Sequence, residues 1–281
     1  IFTQKGRCFW MRVFELPEGN KTSKGRAIQN LIQIEQDDKL LAYIPVQDLR
    51  NEEYVNSKYV ILCTKQGLIK KTSLEAYSRP RANGINAITI VDGDELLAAQ
   101  LTNGQCEVIM GTKEGKAIRF HESTVRAVGR TAQGVKAVNL DSDTNEVIGM
   151  VCVDNPNSDI LVVSEKGFGK RSALEDYRVT NRGAKGVKTI NITEKTGALI
   201  SILDVDDDHD FMIINKSGIT IRLRVDELRV VGRATQGVKL INLRGSDEIA
   251  AVCRVMKSDE DEEIAEGQTP EQPIEPAEDS S

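Results

Sequence analysis

The chain has 281 residues, of which 40% are hydrophobic, and this is enough apolar material to bury one large core or two smaller ones. It shows no signal peptide and no apolar run of about 18 residues, which argues against a membrane partner and favours a cytoplasmic protein. The cysteines are odd in number and show no CxxC or CxxH spacing, so we expect buried, reduced thiols at Cys8, Cys63, Cys106, Cys152 and Cys253.

The formal charge of −6 is distributed unevenly along the chain. Residues 257–281 hold ten Asp and Glu against one Lys, with three prolines and no aromatic residue, so this segment carries a charge of −9. The remaining residues hold 36 Lys and Arg against 33 Asp and Glu, a net charge of +3. Because so acidic a segment cannot bury enough surface to order itself, the sequence predicts a disordered acidic tail over residues 257–281.

Glycines recur along the chain in a fixed register. A Ser, Thr or Asn is followed three residues later by a first glycine, and a second glycine comes 17 or 19 residues after the first. The first glycines are separated by 61, 48, 52 and 51 residues, a period typical of propellers and solenoids. The chain is therefore an array of five units. The first glycines are Gly6, Gly67, Gly115, Gly167 and Gly218, and the second glycines are Gly25, Gly84, Gly134, Gly186 and Gly237.

Each unit shows the pattern of four short strands. Two apolar runs flank the first glycine, as in Tyr59 to Thr64 and Leu68 to Thr72, and a glycine with positive φ closes such a hairpin. After the second glycine, apolar residues alternate, as at Ile88 and Ile90, which indicates a third strand. A fourth run, such as Leu96 to Leu101, completes the unit. Four strands per unit predict an all-β fold of propeller-like blades, with no convincing helix.

The period divides the chain into one array and the tail. The array covers residues 1–256, with units at roughly 1–53, 54–105, 106–156, 157–207 and 208–256. Two residues precede Thr3, where the other units supply a strand of four or five. We therefore expect a fragment that starts inside a unit, with protein missing on its N-terminal side.

Basic residues also repeat at fixed offsets from the glycines. Because equivalent positions of successive blades lie on one circumference, these cations predict a continuous belt that faces outward. Such a belt matches double-stranded DNA, which is bound through neutralisation of its phosphates without reading of the bases. The alternative is that these side chains merely solvate the outer strands. The candidate DNA-binding residues are Lys70, Lys71, Arg79, Arg81, Arg119, Arg126, Arg130, Lys170, Arg171, Arg178, Arg182, Lys185, Arg222, Arg229 and Arg233, and the first unit adds Lys21.

Three segments carry a resemblance to a known family. Residues 127–138 (AVGRTAQGVKAV), 230–241 (VVGRATQGVKLI) and 91–98 (VDGDELLA) resemble the C-terminal domain of DNA gyrase A, and the resemblance spans residues 1 to about 256. It implies a β-pinwheel of six four-stranded blades, five of them present here, in which neighbouring blades exchange a strand. It also implies that DNA wraps around the basic rim of the domain.

The resemblance further implies the setting in which this domain acts. The whole protein would be an ATP-hydrolysing type II DNA topoisomerase, and wrapping would make its strand passage produce negative supercoils. Partners would be double-stranded DNA, the rest of gyrase A, and gyrase B in an A2B2 heterotetramer, in the bacterial cytoplasm at the nucleoid. ATP and Mg would be used elsewhere in that assembly, so this segment is expected to be non-catalytic and to hold no cofactor.

The chain departs from the family pattern at one point. The signature Gln-Arg-Arg-Gly-Gly-x-Gly, the gyrase-A box, belongs to the first blade at the position of the second glycine, and it is absent here. Residues 182–186 (RGAKG) are the nearest sequence to it. We attribute the absence to truncation of the first blade.

Two other motifs suggest chemistry that the chain does not support. Residues 167–171 (GFGKR) are similar to a phosphate loop, but Ser164 stands where the Walker pattern needs a glycine, so a hairpin turn is the better interpretation. Residues 206–210 (DDDHD) offer metal ligands, but a solvated turn between blades is the better interpretation. With His121 as the other histidine, we expect no catalytic triad and no metal site.

Three alternative functions stay open on the sequence. The C-terminal domain of the topoisomerase IV A subunit is the equivalent domain of a related enzyme, with fewer or degenerate blades that bend DNA less. A propeller that binds protein partners would use the same belt as ordinary surface. A propeller enzyme is the weakest of the three, since no catalytic constellation recurs.

Overall fold

The computed structural model describes residues 1–20 and 23–257, and within them the chain forms short antiparallel strands and one α-helix, α1 (Glu52–Ser57). Among the described residues, no helix has the length and hydropathy of a membrane span. Single 3-10 turns lie at Val13–Glu15, Ile28–Asn30, Leu74–Tyr77, Glu122–Thr124 and Leu174–Asp176. The strands are β1 (Phe2–Thr3), β2 (Arg7–Cys8), β3 (Leu40–Ala42), β4 (Tyr59–Thr64), β5 (Leu68–Ser73), β6 (Ile85–Asn86), β7 (Leu96–Thr102), β8 (Glu107–Thr112), β9 (Lys116–His121), β10 (Val135–Lys136), β11 (Val147–Val153), β12 (Asp159–Ser164), β13 (Phe168–Ala173), β14 (Val187–Lys188), β15 (Leu199–Val205), β16 (His209–Asn215), β17 (Thr220–Arg224), β18 (Val238–Lys239) and β19 (Ile249–Met256).

The first glycine of each unit closes a hairpin between the two central strands of a blade, as predicted. At Gly67 the backbone φ is +83°, and a Cβ there would lie 2.7 Å from the side chain of Val138, so glycine alone fits. The polar residue three positions earlier stabilises the turn, since the hydroxyl of Thr64 accepts a 3.2 Å hydrogen bond from the Leu68 amide. The same cap is formed by Thr3, Thr112 and Asn215.

Each of the first four blades receives its fourth strand from the following unit. The second blade has the order β10-β5-β4-β7, so β10, which follows the second glycine of the third unit, pairs with β5 of the second unit. Strands β6, β14 and β18 pair in the same antiparallel way with β2, β9 and β13. The second glycine allows this close approach, because a Cβ at Gly134 would lie 2.6 Å from the carbonyl oxygen of Ile69. The strand exchange of a β-pinwheel is therefore confirmed.

The fifth blade differs from the others. Among the described residues its sheet holds three strands, in the order β17-β16-β19. The outer strand β17 has no donated neighbour among the described residues. The prediction of four-stranded blades is confirmed in full for the first four.

The exchanged strands do not lie where the sequence pattern placed them. The alternating apolar residues, such as Ile190 and Ile192, lie beyond the two-residue strand β14. They pack instead on the hairpin of the preceding unit, where a Cβ at Gly115 would lie 2.7 Å from Ile192. The alternation therefore reflects packing over a turn and does not mark the strand itself.

The hydrophobic core lies between neighbouring blades. On β4, Ile61 and Cys63 pack into the cluster shared with the third blade, whereas Val60 and Leu62 pack into the cluster shared with the first. Two further clusters join the third blade to the fourth and the fourth to the fifth. Because both faces of β4 are buried, its sequence is a continuous apolar run that does not alternate.

The last strand of each unit lies towards the centre of the array. Strand β7 packs against β3 and β11, and β15 packs against β11 and β19. A cavity of about 280 Å³ is lined by residues from all five units, among them Tyr43, Ala99, Cys152, Asp204 and Arg254. A cavity shared by equivalent strands of every unit is the axial opening of a propeller-like ring, so the predicted radial arrangement is confirmed.

Two further predictions have different outcomes. Cys8, Cys63 and Cys106 are buried free thiols and Cys152 is partly buried, but Cys253 is exposed. The prediction of a buried thiol is wrong at Cys253, because most residues of β19 are exposed. The predicted tail lies outside the described residues apart from Lys257, whose Nζ is 2.8 Å from an Asp226 carboxylate oxygen.

Because the exchanged strand approaches its neighbour closely, we expect the second glycine to be needed for stability. Gly134→Ala places a Cβ against a backbone carbonyl at φ +96°, and we expect it to lower the free energy of unfolding by about 2–4 kcal/mol in urea denaturation. Gly129→Ala is the matched control, since a Cβ there meets no atom within 4 Å. Equal stability of the two variants would contradict the assigned role of Gly134.

Candidate nucleic-acid interface

The cations four residues after the first glycine lie inside the molecule. Lys71 and Arg171 are 7% and 8% exposed, and the Arg119 side chain is 13% exposed. Each contacts the residue twelve positions earlier on the adjacent strand: Nε of Arg119 lies 2.8 Å from a carboxylate oxygen of Glu107, and the ammonium of Lys71 lies 5.0 Å from the ring centroid of Tyr59. These cations therefore interact with partners inside their own blade.

The same side chains also reach the next unit. Nη1 of Arg119 donates to the carbonyl of Leu174 at 2.7 Å. Nη1 of Arg171 donates to the carbonyl of Val225 at 3.3 Å, while its Nε lies 2.5 Å from Asp159. A guanidinium shared between a carboxylate of one blade and a carbonyl of the next holds the two blades together. Lys71 reaches the next unit through Glu122, whose Oε1 lies 3.5 Å from its Nζ. We call Lys71, Arg119 and Arg171 the interblade clamps.

Arg222 is the equivalent residue of the fifth unit and is more exposed. Its Nε lies 2.7 Å from Asp210, and its side chain is 35% exposed. The expectation that the four cations at this position form an outward belt is wrong, because three of them are interblade clamps. Their repetition follows from the fold, since every blade junction needs the same contact. The four residues are Lys71, Arg119, Arg171 and Arg222.

Lys70 and Lys170, one position earlier, are each 1% exposed. Their ammonium groups donate to backbone carbonyls of the loop that precedes the second glycine in the next unit. Burial lowers the pKa of each ammonium to about 8. Neither side chain reaches the outer surface, so the prediction of direct DNA contact is wrong for both.

The remaining predicted cations lie on the segments that run along the outer edge of the preceding blade. Within the described residues, five of their guanidinium groups are exposed and form no hydrogen bond or ion pair: Arg79, Arg81, Arg126, Arg178 and Arg229. Lys185 is 66% exposed and lies 3.0 Å from Asp141, and this contact together with one from Lys116 lowers the pKa of that carboxyl. Lys21 lies outside the described residues.

Three arginines of the edge segments donate hydrogen bonds to main-chain carbonyls of the preceding unit. Nη1 of Arg182 donates to the carbonyl of Lys136 at 3.1 Å, and Nη1 of Arg233 donates to the carbonyl of Lys188 at 2.7 Å. Arg130 makes the equivalent contact with its preceding unit at 3.4 Å. Each arginine is therefore fixed beside the exchanged strand of the unit before it, and the positive surface continues across unit boundaries.

Sequence reasoning missed one repeated cation. It stands two residues after the second glycine, on each of the exchanged strands β10, β14 and β18, and it is exposed in all three. Two signals could have found it: the constant offset, and the absence of Asp and Glu from residues 126–136, 178–188 and 229–239. The residues are Lys136, Lys188 and Lys239.

We call the exposed and half-exposed cations of these edge segments the rim row. The segments themselves hold no carboxylate, and apart from Lys185, which pairs with Asp141, the rim row keeps its positive charge; such a surface attracts polyanions. The rim row consists of Arg79, Arg81, Arg126, Arg130, Lys136, Arg178, Arg182, Lys185, Lys188, Arg229, Arg233 and Lys239.

The two motifs that suggested other chemistry are explained by contacts within the fold. The segment similar to a phosphate loop is a hairpin turn, in which Val163 pairs with Gly169. In the acidic segment 206–210, Asp206 contacts the imidazole of His209. Within the part of the chain that the structure describes, no group of three or more potential ligands is placed to hold a metal ion.

Comparison with known proteins gives a consistent result. A family model described as the DNA gyrase C-terminal domain, β-propeller, matches residues 1–47, 58–103, 107–154, 158–206 and 209–254, one match for each unit. The DNA gyrase A protein of Staphylococcus aureus strain MRSA252 is 41% identical over 270 residues, covering 96% of the chain and 30% of that protein. The chain thus spans about a third or less of the length of the curated relatives it matches.

Two solved structures share the fold. The crystal structure of the C-terminal domain of DNA topoisomerase IV matches with a TM-score of 0.82 and 25% identity, covering 94% of the chain and 81% of that structure. A DNA gyrase A C-terminal domain matches with a TM-score of 0.76 and 22% identity, covering 91% of the chain and 81% of that structure.

We expect substitution of an interblade clamp to lower the stability of the fold far more than substitution of a rim-row residue. Arg171→Met leaves the largely buried carboxylate of Asp159 unpaired at a blade junction, and we expect the free energy of unfolding to fall by about 3 kcal/mol. Arg178→Met, on the rim row, should change it by less than about 0.5 kcal/mol. Urea denaturation of both variants checks this, and equal losses would refute the distinction.

Proposed function

Because the chain belongs to the family of DNA gyrase C-terminal domains, we propose that it binds double-stranded DNA without sequence preference and bends it along the rim row. The observation that supports this most directly is the continuity of the exposed cations across unit boundaries, fixed by the bonds from Arg182 and Arg233 to the preceding units. Duplex DNA presents one charge per about 1.7 Å of axis and suits such a continuous surface.

The curvature of the surface gives the proposal its second part. The rim row lies on edge segments of successive blades, and these blades are arranged around an axis. DNA that contacts several units must follow that curvature, at a bending cost of a few kcal/mol that phosphate neutralisation offsets. Preference among sequences then arises from their flexibility, because cations that contact phosphates do not read base edges.

For the whole protein we propose the role of gyrase A. DNA wrapped on this domain would present a crossing of one sign to the strand-passage machinery, so that ATP-driven passage produces negative supercoils. Partners would be the rest of gyrase A, and gyrase B, in the bacterial cytoplasm at the nucleoid. ATP and Mg would be used in those other parts, and this segment would supply binding and bending.

A second candidate is the corresponding domain of topoisomerase IV, favoured by the TM-score of 0.82 to that domain. The 41% identity to gyrase A over 96% of the chain favours the gyrase assignment. The two differ in wrapping: a gyrase domain should trap writhe of one sign in relaxed circular DNA, whereas a domain that only bends DNA should trap little. A propeller that binds proteins instead would show no salt-dependent affinity for DNA.

Bending of a linear duplex tests the proposed function. With donor and acceptor dyes at the two ends, we expect energy transfer to rise when the chain is added. The logarithm of the affinity should fall linearly with the logarithm of the salt concentration, with a slope of about −0.9 for each phosphate neutralised. Binding that does not respond to salt would reject DNA as the ligand and favour a protein partner.

The rim row predicts which lysines determine that slope. Lys188→Gln should reduce the slope by about one and weaken binding equally for different sequences, because it removes a phosphate contact. Lys39→Gln is the matched control, since Lys39 is exposed but lies outside the rim row, in the turn before β3. Fluorescence anisotropy titrations across salt concentrations measure both variants, and equal slopes would exclude Lys188 from the interface.

A further inference from the structure

The two buried lysines lie directly behind loops of the rim row. Nζ of Lys170 donates to the carbonyl of Gly232 at 2.8 Å, to the carbonyl of Arg233 and to the hydroxyl of Thr235 at 3.3 Å. These oxygens belong to one turn, which the bond of 3.2 Å from the Thr235 amide to the Gly232 carbonyl closes. Lys70 donates to one carbonyl of the corresponding turn in the third unit, that of Arg130, and to the carbonyl of Ala87 in its own unit.

When an ammonium binds the carbonyl oxygens of a turn from the inner side, the amides of that turn are left for the outer side. In the fifth unit, the amides of Arg233, Ala234 and Gln236 donate to no acceptor among the described residues. Ala234 is exposed, and the other two residues are half-exposed. Neighbouring unbonded amides in a turn, here the pair at 233 and 234 together with 236, form a site for an anion, and the buried ammonium adds positive charge behind it.

We propose that Lys170 and Lys70 are positioning residues for DNA binding: each holds a rim loop so that its free amides and its arginine bind one backbone phosphate. This rests on the proposed function and assigns to two buried residues a part in it. The phosphate would accept hydrogen bonds from the amides of residues 233, 234 and 236 and from the guanidinium of Arg233. In the third unit, the amides of residues 130, 131 and 133 and the guanidinium of Arg130 would act in the same way.

The fourth unit provides an internal comparison. The hairpin behind its loop carries Ile118, which is buried and supplies no ammonium. In that loop the amide of Gly183 is bonded to the carbonyl of Ala137 at 2.6 Å, so it does not face an anion. The loop instead carries a lysine of its own, Lys185, which is 66% exposed. Each rim loop of units three to five therefore has one arginine and one lysine, and the lysine lies behind the loop or on it.

The deciding variant is Lys170→Ile in the full chain, because isoleucine already occupies the equivalent positions 118 and 221. We expect its affinity for a linear duplex at low salt to fall about tenfold, the loss of a charge-assisted phosphate contact. We expect the salt slope to become shallower by about one. Lys170→Arg should retain most of the affinity, since a guanidinium also donates to several carbonyls.

The matched control is Lys216→Ile, because Lys216 is an exposed lysine of the fifth unit that pairs with Glu248 outside the rim row. It should leave the slope unchanged. If wild type binds DNA with a steep slope and Lys170→Ile binds identically, the positioning role is refuted while the proposed function stands. If wild type shows no salt-dependent binding, the proposed function itself fails.

A second measurement decides the matter even if Lys170→Ile does not fold. In amide-resolved NMR of the wild-type chain, adding the duplex should shift the amide signals of Arg233, Ala234 and Gln236. The amide of Lys216, which lies in an exposed turn outside the rim row and donates to the carbonyl of Glu248, serves as the reference signal that should not move. Unmoved signals at all three loop amides, under conditions where the duplex is bound, would overturn the proposal.

Discussion

The structure depends on the backbone pairing that each blade makes with the following unit. A two-stranded hairpin with one further strand leaves an outer edge of unpaired N–H and C=O groups, and the short strand after the second glycine covers that edge from the next unit. This exchange requires glycine where one backbone meets another, as at Gly134. It also places the segment before each exchanged strand on the outside of the preceding blade, where the rim row lies.

The repeated cations have two separate physical causes. Those four residues after the first glycine join neighbouring blades, and Arg171 shows the arrangement most fully, with two carboxylates and a carbonyl of the next unit around it. Those on the edge segments have few or no carboxylate partners and face solvent. A fixed offset thus indicates that a residue is needed in every unit, but whether the fold or a ligand needs it depends on what surrounds the side chain.

In the edge segments, the same residues serve the fold and the proposed DNA-binding surface. Arg182 and Arg233 donate to carbonyls of the preceding unit with part of their guanidinium groups, which orients the remaining donors outward. Lys170 holds the inner side of the same loop in the fifth unit. The residues of the proposed phosphate sites therefore also stabilise the ring, and this would preorganise the surface for the binding that we propose.

The amino-acid sequence by itself determined the five units, the hairpins at Gly67 and its equivalents, and the all-β class, because turn chemistry and apolar runs are local properties of the chain. It also indicated strand exchange, through resemblance to a family. The tertiary structure alone decided that Lys70, Lys71 and Arg171 are buried and that Lys136 is exposed, and it corrected the position of the third strand. The physical reason is that the environment of a cation is set by the neighbouring unit about 50 residues away in sequence, and no local pattern records what that unit places beside it.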